Sequence, residues 1–220
     1  MTTIDRLIRA GGVALCAGGV LSAFATVGHD FVDQKTVNPA LTAIGTVGIA
    51  GGLLLLLGLP AWYAVQARAA GRFGAVSFVL LYLGVAGLQV ASQPVYDYLA
   101  PALYGRPGNA ALAADGALEE VATAYLVYVL VMLVALNLGF LLFGIAMARA
   151  RVFPRTLSWT IAVAPLAILF LSTVESWMIA LLLTVVAGCG LLMATGRVHL
   201  GADEQPATIG GAVHTPEAAH

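Results

Sequence analysis

Glu175 is the only ionisable residue between Arg155 and Arg197, and it stands where two apolar runs, 157–171 and 178–195, meet. Charge among lipid-loving segments is costly to keep, so an acid there is a candidate for proton work. Two polar stripes point the same way. Ser22, Thr26, His29 and Asp33 recur at i, i+4, i+7 and i+11, and Tyr82, Gln89, Gln93 and Asp97 at i, i+7, i+11 and i+15. Either spacing draws one face of a helix. A glutamine inside an apolar helix needs a partner across the bundle or water in a cavity. The expectation is therefore one outward-opening cavity. Glu175, Asp97, Asp33 and His29 would be its acid–base groups, and Tyr82, Gln89, Gln93, Tyr96, Tyr128 and Trp177 would bind its contents.

Each of these residues has a plainer reading. Gln89 and Gln93 would serve as hydrogen-bonding glue between helices. Glu119 and Glu120 would favour the positive end of a helix, and Asp115 would belong to a polar rim. Tyr96, Tyr98, Tyr104 and Trp177 would form an interfacial aromatic belt. Glu175 would be a turn residue reaching for water.

The elements that must hold these groups are membrane helices. The chain has 220 residues, 60% hydrophobic and 10% charged, with a mean hydropathy of +0.95. Six apolar stretches, 9–29, 41–65, 73–96, 120–147, 157–174 and 177–196, have the length that crosses a hydrocarbon core as a helix. The class is all-α, a polytopic bundle of six transmembrane helices over 1–197 with a polar tail, 198–220, that has no apolar period. Gly48 and Gly52 have a close-packing spacing that would suit a homodimer. Pro60, Pro94 and Pro165 lie within spans and would leave carbonyls for neighbours to satisfy. Residues 67–78 and 148–159 are alike at a spacing of 81, with Gly58 falling on Gly139, a hint of a duplicated hairpin.

Eight of the ten basic residues (Arg6, Arg9, Arg68, Arg72, Arg149, Arg151, Arg155 and Arg197) fall on one side of these spans, against Lys35 and Arg106 on the other. The positive-inside rule then puts both termini in the cytoplasm of a multi-pass cell-membrane protein. Arg6 and Arg9 before a short run ending at Ala23-Phe24-Ala25 also resemble a cleavable leader; the run continues past Ala25, which favours a retained span.

Several chemistries are excluded. A net charge of −1 gives no basic footprint for nucleic acid. No GxSxG, P-loop, HExxH, dinucleotide or CxxC pattern is present. Cys16 and Cys189 sit inside apolar runs as small hydrophobes. Only His29 is available to a metal or haem at helix depth, so no cofactor is expected.

What remains is acid–base chemistry in lipid. A carboxyl group in an apolar cleft keeps its proton nearer neutrality, and aromatic faces stabilise a developing cation. Acids near helix ends, beside Tyr82, Tyr96, Tyr125, Tyr128 and Trp177, resemble in size and helical class the small integral-membrane terpene cyclases. That resemblance implies cyclisation or isomerisation of a hydrophobic isoprenoid-type molecule. The runs 57–63 and 66–72, with 143–147 and Pro154-Arg155, look like the six-helix membrane proteins of bacteria that have no assigned activity. This second resemblance implies fold and location only. Interior acids beside amides would equally suit a proton- or cation-coupled transporter, and a non-catalytic accessory subunit would use the same stripes for packing.

Overall fold

The computed structural model describes residues 2–106, 108–109, 122–170 and 175–198. Glu119, Glu120, Asp115 and the tail beyond Val198 lie outside the described residues, as does the turn 171–174 that precedes Glu175. Among the described residues every regular element is helical. Helix α1 spans Thr3–His29 and α2 Pro39–Val85; α2 runs on through π-helical turns at Ala86–Ser92 and Val95–Leu99 into α3, Ala100–Tyr104. Helix α4 is Thr123–Ala150, α5 Arg155–Phe170 and α6 Glu175–Ala194.

Local chemistry starts and ends these helices. Thr2 and Asp5 form a reciprocal capping box at α1. Asn38 accepts the Leu41 N–H ahead of Pro39 at α2. The stripe expected to reach Asp33 is cut short because α1 stops at His29.

Four apolar stretches, Thr3–His29, Pro39–Tyr104, Thr123–Ala150 and Glu175–Ala194, are long enough to cross a membrane; Arg155–Ile168 is shorter. Pro39–Tyr104 has 66 residues. A straight helix of that length would measure about 100 Å, far beyond a hydrocarbon core of about 30 Å. It does not run straight. Gly71 leaves the helical region at φ 57°, ψ −150°, a conformation open to glycine, and the chain doubles back there. Tyr63 and Phe78 consequently stack with ring centroids 4.8 Å apart. Gly45 packs on Asp97, Gly48 beside Gln93 and Gly52 on Gln89, as in an antiparallel hairpin. Its legs are 39–70 and 72–104.

The two outer neighbours of α1 are the first leg and α6, and glycines set both seams. A Cβ on Gly18 would stand 2.6 Å from the Leu55 backbone nitrogen, and one on Gly19 equally close to the Leu183 carbonyl. Gly48 and Gly52 are buried against Ala25 and Gln89. The face offered to a second copy is thus covered by this chain's own helices.

The interior centres on Trp62, held edge-on by Phe143 at 4.9 Å and Phe153 at 6.5 Å. The outer faces are apolar as well: Val13, Phe24, Leu57, Val76, Val131, Val134, Val163 and Leu181 are all exposed. Such a surface suits lipid as solvent. Arginines mark one end, where Arg149 lies over the Phe73 ring and Arg9 lies beside Gly196, while Arg106 follows α3 at the other.

The duplicated-hairpin hint has a structural counterpart. Positive φ occurs at both turns, Gly71 and Arg151. Ser77 and Ser158 are each fully buried and donate to a carbonyl near the turn, Gly74 at 2.9 Å and Pro154 at 3.3 Å. Gly58 and Gly139 differ, one packing on Leu15 of α1 and the other on Leu81.

Candidate functional site

Two polar places emerge rather than one. The first joins the last residue of α1 to the π turn Val95–Leu99. His29 Nδ1 lies 2.8 Å from the Ala25 carbonyl oxygen, its Nε2 2.9 Å from Asp97 Oδ1, and Gln93 Nε2 donates to Asp97 Oδ2 at 2.7 Å. The Asp97 side chain is 4% exposed and that of His29 15%. A carbonyl can only accept, so Nδ1 carries a hydrogen. One further proton is then shared between Nε2 and Oδ1, and with it the cluster is neutral overall. Gly45 makes the room, since a Cβ there would sit 2.6 Å from Asp97 Oδ2.

The π winding aligns this cluster. Gln89, Gln93 and Asp97 face Gly52, Gly48 and Gly45, so the second leg uses eight residues where the first uses seven. The i→i+5 turns absorb that extra residue. Pro94 stands between them without an N–H to give. The Gly87 carbonyl is met by two hydroxyls, Ser92 at 3.0 Å and Tyr128 at 3.1 Å.

The second place is a cavity of about 160 Å³. Its walls are Leu55, Leu59 and Trp62 of the first leg, Val85, Leu88 and Gln89 of the second, one face of α4 from Leu133 to Phe140, Ile168 of α5, and one face of α6 from Glu175 to Val186. The α6 residues fall at i, i+4, i+7, i+8 and i+11, one face about 16 Å long. A volume near that of a benzene-sized cavity, drawn out over that length, is a slot one chain wide. Its polar residues are Trp62, Gln89, Asn137, whose amide donates to the Leu133 carbonyl at 2.8 Å, and, at the start of α6, Glu175, which is exposed. Among the described residues lining it nothing else is ionisable.

Comparison of the chain with family models, curated proteins and solved structures finds no match. The reading of these two places therefore rests on their own geometry.

The expected site residues divide between them. Glu175 and Gln89 meet at the slot, and His29, Gln93 and Asp97 form the cluster. Asp33 joins neither: it is exposed in the loop after α1, where it accepts from the Lys35 N–H at 2.9 Å and the Thr36 hydroxyl at 2.7 Å. The Thr36 bond, followed by the Lys35 one, holds its carboxyl below the ordinary value of 3.8. Tyr96 and Tyr128 flank Tyr125 in a ladder with centroids 5.9 and 6.2 Å apart. Tyr82 packs on Phe78, and Trp177 is 58% exposed near the start of α6. Among the described residues no three His, Cys, Asp or Glu side chains converge as a metal set.

Sequence reasoning missed Trp62 and Asn137, which line the slot. It also missed the Ser176 hydroxyl, which donates to Asp30 at 2.9 Å and ties the start of α6 to the end of α1. A lone amide in the run 123–150 was the available signal for Asn137.

Proposed function

We propose that this chain is an integral membrane protein of six spans, with the arginine-rich end and both ends of the chain on the cytoplasmic face. It admits a lipid-soluble, chain-like molecule of isoprenoid type to the slot and performs acid–base chemistry on it with Glu175. The observation that carries this reading is the slot itself, apolar, one chain wide and furnished with a single ionisable group. Its narrowness favours double-bond migration over formation of a fused ring system. In that reaction the protonated carboxyl gives its proton to one alkene carbon, whose π pair becomes the new C–H bond. The cation forms at the other carbon of the former double bond. A neighbouring C–H returns a proton to the carboxylate, and its bond pair becomes the new double bond, so no oxidant or co-reactant is needed.

The test uses purified protein in nanodiscs, an isoprenoid alkene and products followed by mass spectrometry in D2O. Glu175→Gln is expected to lower turnover and deuterium incorporation at least about tenfold. Turnover unchanged in that variant removes the proposal.

The shared proton between His29 and Asp97 favours a second reading, a proton-coupled carrier. Uptake into reconstituted vesicles driven by a pH gradient, and lost in His29→Gln, would support it. Uptake equal to that of protein-free vesicles would end it.

A further inference from the structure

Trp62 and Gln66 lie one turn apart on the first leg, 0% and 1% exposed. Leu55, Leu59 and Trp62 step along the slot wall, and Gln66 is the next position in that helical row, one turn beyond the residues that line the slot. The indole N–H of Trp62 and both amide atoms of Gln66 are buried without a hydrogen-bond partner among the described residues. Phe143 and Phe153 fix the indole ring edge-on, so the N–H is not free to turn toward another acceptor. Buried polar groups in native proteins are almost always paired, and leaving three unpaired at one place is costly.

We propose that Trp62 and Gln66 form the polar terminus of the slot and receive an oxygen at the leading end of the bound molecule, whose chain lies back toward Glu175. This rests on the slot reading above and adds the substrate class, an isoprenoid alcohol. Counting donors and acceptors selects the hydroxyl. Its oxygen accepts from the indole N–H and from the Gln66 amide N–H, while its own hydrogen goes to Gln66 Oε1. A carbonyl oxygen would serve the two donors and leave Gln66 Oε1 unpaired. A hydrocarbon would serve none.

The experiment measures binding of three roughly ten-carbon isoprenoids, sized to a slot of this volume: an alcohol, the matching aldehyde and the hydrocarbon lacking the oxygen. The protein is the full chain in nanodiscs carrying Trp159→Phe and Trp177→Phe, which leaves Trp62 as the only one of the three tryptophans to report. The expected order is alcohol, then aldehyde, then hydrocarbon, with the alcohol about tenfold or more tighter than the hydrocarbon. Gln66→Met should erase that preference and leave hydrocarbon affinity within about twofold. Equal binding of all three in the protein with Gln66 intact overturns the inference while the slot reading stands. A preference that survives Gln66→Met overturns it too, and failure of all three to bind removes both.

Discussion

The His29–Asp97–Gln93 cluster and the Glu175 slot are built from the same kinds of residue and differ in what those residues face. In the cluster each polar atom named above faces another one, and the Gly45 backbone closes over them. In the slot Gln89 and Glu175 border open volume between apolar walls, Glu175 being exposed at the start of α6, while the Asn137 amide donates to the Leu133 carbonyl. Polar groups that satisfy one another hold helices together. Polar groups that face a hollow are available to something that enters it. The difference predicts that damage to the cluster is read as lost stability, and damage to the slot as lost binding or turnover.

The sharpest way to break the cluster is Gly45→Val, whose side chain would occupy the space of the Asp97 carboxyl. It should cost about 3 kcal/mol or more, measured by thermal unfolding in detergent. Gly188→Ala, where an added Cβ meets nothing within 4 Å, should leave the melting temperature unchanged. Asp97→Ala, which strands the His29 and Gln93 donors, should cost about 2–4 kcal/mol, and Asp97→Asn less. Melting temperatures equal to the parent in both Asp97 variants would remove the structural role given to the cluster.

The slot should respond in the opposite sense. Ile179→Trp fills it beside Glu175 and should weaken binding of an isoprenoid about tenfold, with a stability change below about 1 kcal/mol. Glu175→Gln should shift stability by no more than about 0.5 kcal/mol while lowering turnover at least about tenfold, and a large loss of stability instead would place Glu175 with the structural residues. The smallest effect belongs to Asp33, which lies in neither place. Its folded-state value is depressed, so the order it lends the loop 30–38 is complete above the ordinary value of 3.8 and fades as pH falls through the lower folded one. Amide exchange at Lys35 should quicken in Asp33→Asn and little else should change.

Much of the scaffold was legible because hydropathy and glycine spacing act locally. The apolar runs became helices, the arginines other than Arg106 border the turns at one end, and Gln89, Gln93 and Asp97 did fall in one row. The division of the polar residues was not legible. Whether an acid meets a histidine or a hollow depends on which helix packs beside it, and no spacing within one span encodes that. Asp33 was drawn onto the His29 face by a periodicity that the end of α1 interrupts. Gly48 and Gly52 announced a close contact correctly but not its partner, which is the same chain. Trp62 and Gln66 passed unseen because two polar edges in an apolar run look like packing until their neighbours are known.

The extra residue in the second leg makes its outer third a vernier. Inserting one further position between Ala86 and Ser92, with no further π turn to absorb it, would swing everything beyond it by about 100°. Asp97 would then point away from His29, although no residue of the cluster had been altered. The chain length between two marks, as much as the identity of either, decides whether the proton has a second home.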